Sequence, residues 1–311
     1  MADSDPSFFH LPSCPNSRRH LSQLQTLPTE LPLHYYLIAD AAQDKQHPSV
    51  LLHESLGTRS QCLLTFDQGP DLDAAAPHLM TFPQFDADAE SWQWLFGYGP
   101  SVPAAFSIIA SPLSFDELYV HLHAMTEVVL PDGEEMIFAF WDPAILGTLV
   151  GQRDDRTLHV PGPALTTREC GKFLSCVTAW WYWDRDGGMH QIVKDSNAEG
   201  GKEVVLPLKL TQTQVDMLVE ASVPDHILSY INANRPGILA DLPVQERYAR
   251  VEKHLKEARK LNLRGMRDIL DYVCASLIYG DRMIESQEIA TLLQKVKSRE
   301  LSLTQALEQF P

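Results

Sequence analysis

Val128-Val-Leu-Pro-Asp-Gly-Glu-Glu-Met-Ile-Phe-Ala-Phe-Trp-Asp-Pro143 is the stretch on which the fold of the first half of the chain turns. Two β-rich runs, 128–130 and 135–140, flank Pro131-Asp-Gly133, which spells a hairpin around a glycine-containing turn. The second run ends in Trp141-Asp-Pro143. Asp at an N-cap followed by Pro at the first helical position is a preferred way to begin a helix. Asp142 and Pro143 are therefore read as a structural cap that opens a helix over 144–150. Upstream, Ser114-Phe-Asp-Glu117 has the pattern of a capping box, with Leu113 and Leu118 as its hydrophobic staple. Further strands are expected at 34–40, 61–66, 77–82 and 105–110, and short helices at 49–56 and 91–96. Strands separated by helices imply a partly parallel sheet, and the hairpin makes it mixed. The expectation is an α/β lobe, a mixed sheet with flanking helices, over 33–200 after an N-terminal tail, 1–32.

The remainder, 205–311, reads as an all-α lobe. Thr211-Gln-Thr-Gln214 is a second capping box, with Leu210 and Val215 as staple. Ser222-Val-Pro-Asp225 is expected to open another helix. Val244, Tyr248, Val251, Leu255 and Ala258 recur at three and four residues, as do Ile269, Leu270, Val273, Leu277 and Ile278. Ser302-Leu-Thr-Gln305 caps a last short helix. The boundary between lobes is expected near Asn197-Ala-Glu-Gly-Gly201.

Charge supports two modules. The 311 residues carry 41 Asp and Glu against 25 Lys and Arg, a formal charge of −16. Residues 60–152 hold 13 acids and no Lys or Arg, whereas 205–311 balance at 14 and 14. So acidic a chain speaks against nucleic acid and against an anionic membrane surface as partners. The most apolar run, near 91–115, is broken by Pro100, Pro103 and Pro112, so no membrane span is expected. No signal peptide is visible at the N-terminus, and five cysteines without metal-site spacing suggest reduced thiols, hence a cytoplasmic protein.

The chemistry-bearing patterns are sparse. Gly97-Tyr-Gly99 has Val102 where a dinucleotide loop has its third glycine, and reads as a turn. His121 and His123, two apart on a helix, point to different faces. Cys170 and Cys176 lie near Arg168, but no histidine partner is evident in sequence, and buried thiols are the expectation. No catalytic residue, metal site or cofactor is assigned.

Two features suggest partner binding. Trp180, Trp181, Tyr182 and Trp183 alternate across a strand, so the four occupy either core on both faces or one core and one exposed face. Asp184-Arg-Asp-Gly-Gly188 follows as a polar turn, which favours an edge strand with one aromatic pair exposed as a binding anchor. Residues 246–267 carry eight Lys and Arg against three Glu. Arg250, Lys253, Lys256 and Lys260 are either a solvated face or a docking face for an acidic surface.

The first module resembles the domain of unknown function found in type VI secretion effector chaperones, the Tap and Tec adaptors. The matching pieces are Tyr36-Leu-Ile-Ala-Asp-Ala-Ala42, Ala76-Pro-His-Leu79, the 92–95 helix, Ser111-Pro-Leu-Ser-Phe-Asp-Glu-Leu118, and the hairpin running into Ile137-Phe-Ala-Phe-Trp-Asp-Pro143. The resemblance covers roughly residues 33–192. One departure is Ala139, where the family often has an arginine. The resemblance implies a non-enzymatic adaptor that holds a secreted effector, a toxin, and hands it to the VgrG spike protein. A hydrolase with an unrecognised active site and an immunity-type or regulatory binder are the alternatives.

Overall fold

A computed structural model describes residues 32–44, 58–64, 75–86, 89–193 and 204–310. The expected helix at 49–56, the glycine pair at 197–201 and the tail before residue 32 lie outside them.

Six strands form one sheet. They are β1 (His34–Asp40), β2 (Ser60–Cys62), β3 (Pro77–Phe82), β4 (Phe106–Ser111), β7 (Ala179–Trp183) and β8 (Met189–Val193), in the order β2-β3-β1-β4-β7-β8. Every pairing in it is antiparallel. The hairpin strands β5 (Glu127–Val129) and β6 (Glu135–Ile137) stand apart, in a second sheet with β9 (Leu208–Lys209). The parallel pairing is found there, between β5 and β9. The hairpin thus forms as its turn chemistry dictates, with Gly133 at φ 91°. It does not enter the main sheet.

Alternation along the strands sorts the main sheet into two apolar faces. Tyr36, Ile38, Leu79, Ile109, Trp180 and Tyr182 fill one. This face is covered by α2 (Phe115–His123), α3 (Pro143–Val150) and α4 (Thr167–Phe173), through Leu118, Leu122, Leu146, Leu149 and Phe173. Tyr35, Leu37, Phe106, Ile108, Trp181 and Trp183 fill the other, against Trp92, Leu95 and Phe96 of α1 (Glu90–Tyr98).

Helices α2 and α3 start where their caps are written in the sequence. The Ser114 N–H and hydroxyl both donate to the Glu117 carboxylate, at 3.0 and 2.6 Å. Asp142 Oδ1 accepts from the Ala144 N–H at 2.9 Å with Pro143 at the first helical position. Helix α4 carries a capping box absent from the sequence reading: the Thr166 N–H and hydroxyl donate to Glu169 Oε2, both at 2.8 Å.

The chain divides into two compact units, one ending at Ala221 and the other running from Ser222 to Pro311. The division falls inside α5 (Gln212–Asn234), downstream of the expected 200/205 boundary. The reason is that β9 pairs with β5, which draws the chain after residue 205 into the first unit. Leu218 and Ala221 belong to the first core, Val223, Ile227 and Ile231 to the second. No new helix opens at Ser222, because Pro224 is accommodated within α5. A proline inside a helix removes one hydrogen bond without necessarily ending it.

The second unit is helical: α6 (Val244–Lys260), α7 (Met266–Tyr279), α8 (Arg282–Glu285), α9 (Gln287–Lys297) and α10 (Leu303–Leu307). Val251, Leu255 and Ala258 meet Ile269 and Val273 in its core. Ile278, expected on that face, is 60% exposed. No helix among the described residues is long and apolar enough to cross a membrane.

Candidate functional site

The aromatic strand is the first site to place, and of the two alternatives, core on both faces or one aromatic pair exposed, the structure shows the first. Trp180, Trp181, Tyr182 and Trp183 are all at most 1% exposed. Strand β7 is interior, between β4 and β8, and the polar turn after it leads into β8 rather than marking a sheet edge. Trp180 stacks on Phe173 at 5.5 Å between ring centroids and meets Phe140 edge-on at 6.0 Å. Trp183 meets Phe96 edge-on at 6.1 Å. Glycines make room on both sides. A Cβ at Gly99 would lie 2.9 Å from the Trp183 ring, and one at Gly147 would lie 2.7 Å from the Tyr182 hydroxyl. Gly99, read as part of a turn, is thus the seat of an indole. The indole N–H groups of Trp180, Trp181 and Trp183 have no hydrogen-bond partner among the described residues. Ring burial outweighs that cost here, since an indole removes far more apolar than polar surface from water. None of the four side chains is presented to a partner.

A polar cluster that the sequence reading missed sits at the end of this strand. The Tyr182 hydroxyl donates to Asp155 Oδ2 at 2.9 Å, and Asp155 Oδ1 accepts from the Thr157 N–H and hydroxyl. Asp184 Oδ1 accepts from the N–H groups of Asp186 and Gly188. His190 Nε2 lies 2.8 Å from Asp184 Oδ2, and its Nδ1 lies 3.3 Å from Asp154 Oδ2. Asp155, Asp184 and His190 are the one grouping among the described residues whose donor atoms stand close enough for a cation, all within 4.8 Å. Their carboxylates already hold Tyr182, Thr157, the turn N–H groups and the His190 ring. A carboxylate beside each ring nitrogen favours the imidazolium form over the neutral ring. Burial opposes its charge, but the Asp184 and Asp154 hydrogen bonds and the nearby Asp155 outweigh burial and raise the His190 pKa. Burial, with Asp155 beside it, also pushes the Tyr182 phenol far up. The cluster clamps the β7–β8 turn to residues 154–157. No spacing rule could find it, because its members are brought together only by the sheet.

The thiols also differ from expectation. His121 Nε2 lies 2.9 Å from the Phe173 carbonyl oxygen, and its side chain also hydrogen-bonds Cys176. That bond lowers the Cys176 pKa against the opposing effect of burial. A histidine partner therefore exists, 55 positions away in sequence and supplied by α2. His123 Nδ1 contacts the Leu63 carbonyl oxygen at 2.8 Å, so the two histidines do point apart.

In the second unit, Arg250, Lys253, Lys256 and Lys260 are exposed on α6, on the face opposite Val251, Leu255 and Ala258. Lys256 Nζ bonds Glu252 at 2.7 Å. Arg250, Lys253 and Lys260 make no ion pair among the described residues.

No curated protein and no solved structure matches this chain. One family model does, over a span that runs from β1 through α3 to the Asp155 turn and stops short of β7. Residues 35–159 match the family described as a domain of unknown function, DUF4123.

Proposed function

We propose that this chain is a non-enzymatic adaptor that binds a secreted effector in the cytoplasm and assists its loading onto the VgrG spike of a type VI secretion system. One observation carries the reading. The DUF4123 match spans the same ordered pieces whose resemblance to effector adaptors is legible in the sequence, from Tyr36 to Pro143. The two-unit architecture, with a helical unit after the sheet-bearing one, accords with that plan. The test is affinity purification of the tagged full chain from its native strain, followed by mass spectrometry. Recovery of a large toxin together with a VgrG protein is the expected result. Recovery of neither overturns the reading. The hydrolase alternative is separated by Cys176→Ser: the adaptor reading expects unchanged partner recovery and secretion, whereas loss of function in a folded variant favours an enzyme.

A further inference from the structure

Among the described residues, strand β8 is one of the two edges of the main sheet, β2 being the other. The Asp184 N–H donates to the Gly188 carbonyl at 2.7 Å, and the register pairs Tyr182 with His190 and Trp180 with Ile192. In an antiparallel ladder, bonded and non-bonded pairs alternate. The main-chain groups of Gln191 and Val193 therefore point away from β7. The Gln191 carbonyl accepts from Gln152 Nε2 at 3.4 Å. The N–H groups of Gln191 and Val193 have no partner among the described residues. Val193 is 58% exposed at this edge.

An open groove of about 470 Å³ runs beside the same edge. Val150, Gln152, Arg153, Pro163 and helix α4 line it together with β8, and the largely buried Leu165, Leu174 and Ile192 are its aliphatic members. Among its lining residues there is no acid and one cation, the exposed Arg153. Arg153 makes no ion pair among the described residues. This is notable in a chain whose net charge is −16. Arg153 is also the first basic residue after the 60–152 block that has none.

We propose that the β8 edge and this groove bind an extended segment of a protein partner that carries an acidic side chain among aliphatic ones. Free N–H groups at a sheet edge select an extended backbone, because an added strand completes the ladder. Alternation along that strand turns every second side chain toward the groove. Aliphatic side chains then pack against the accessible aliphatic lining, Val150 and Val193, and the acidic one meets the guanidinium of Arg153. This deepens the adaptor reading and takes from it only that the partner is a protein.

The test uses the full chain and a library of acetylated, amidated octapeptides with Val, Ile, Leu or Thr at positions 2, 6 and 8, either Asp or Lys at position 4 on that same face, and Ser or Thr at the odd positions. Blocked ends remove terminal carboxylates as a source of binding. Fluorescence anisotropy is expected to show at least tenfold tighter binding of Asp members than of their Lys counterparts. Arg153→Glu is expected to reverse that preference. Val193→Pro removes an edge N–H without touching the β7 ladder, and is expected to weaken binding at least tenfold. Thr167→Trp, which obstructs the groove from the exposed first turn of α4, is expected to do the same. Thermal melts establish that each variant is folded, and either of the last two suffices if the other is not. If no library member binds, or if Arg153→Glu and Thr167→Trp bind as the wild type does, the proposal is overturned. Recovery of VgrG and effector by the native chain is measured separately, so either idea can fail alone.

Discussion

Strands β7 and β8 lie side by side, and they are opposites. The first holds four of the largest side chains in the protein and shows none of them. The second is built of Met189-His-Gln-Ile-Val193, an unremarkable run, and leaves main-chain donors and an exposed valine at a sheet edge. Aromatic density is therefore a poor guide to a binding surface when both faces of a sheet are covered. What opens a surface is position in the sheet order. The strand after a polar turn, and not the strand before it, inherits the edge.

The contrast can be broken by truncating β7. Trp180→Ala and Trp183→Ala are each expected to cost about 3–5 kcal/mol, as for other large-to-small core changes. That is a large share of the ~5–15 kcal/mol typical of a whole domain. Urea denaturation measures it. Folded variants of wild-type stability that merely lose partner binding would restore the exposed-anchor view. Trp181→Phe sharpens the point, and is expected to cost less than Trp181→Ala, since the N–H it removes is unbonded.

Gly99→Ala is the next largest effect. Its methyl group would press on the Trp183 ring, and overpacking of this kind costs about 1–3 kcal/mol. Asp142→Ala removes the α3 cap and is expected to cost about 1 kcal/mol. Partner capture should fall only in proportion to the folded protein lost.

Much of the first unit was legible because its signals are local. Strands β1 and β3 and the caps at Ser114 and Asp142 rest on alternation, turn chemistry and neighbouring residues. The features that escaped are those made by long-range pairing. Strand β8 is interrupted by His190 and Gln191, which spoil an apolar pattern. His190 makes sense only beside Asp154 and Asp184, which the fold delivers. The unit boundary moved for a similar reason, since the two-residue β9 carries no signal of its own but pairs with β5. The Thr166-Thr-Arg-Glu169 capping box was a readable signal that the sequence reading passed over.

The clamp at the end of β7 gives a pH signature. The folded His190 pKa is raised above its unfolded value of about 6.5. A raised pKa stabilises the fold fully below the unfolded value, and the contribution fades as pH rises through the folded one. His190→Gln is therefore expected to lower the urea midpoint more at acidic than at alkaline pH. An equal loss at both would mean that the ring is held uncharged.

The smallest stability effects belong to α6. Lys253→Ala, on an exposed face without an ion pair, is expected to change stability by no more than about 0.5 kcal/mol. If that stripe contacts an acidic partner, the variant and added salt should both weaken capture, because exposed charges are screened within about 10 Å at 0.1 M.

The central claim is that partners meet the edge strand and not the aromatic one. Amide hydrogen exchange on the chain, alone and in complex with the protein it captures, tests this most directly. In the free chain the Trp180–Trp183 amides should exchange slowly and those of Gln191 and Val193 quickly, with protection appearing at Gln191 and Val193 on binding. New protection over Trp180–Trp183, with Gln191 and Val193 unchanged, would contradict the account.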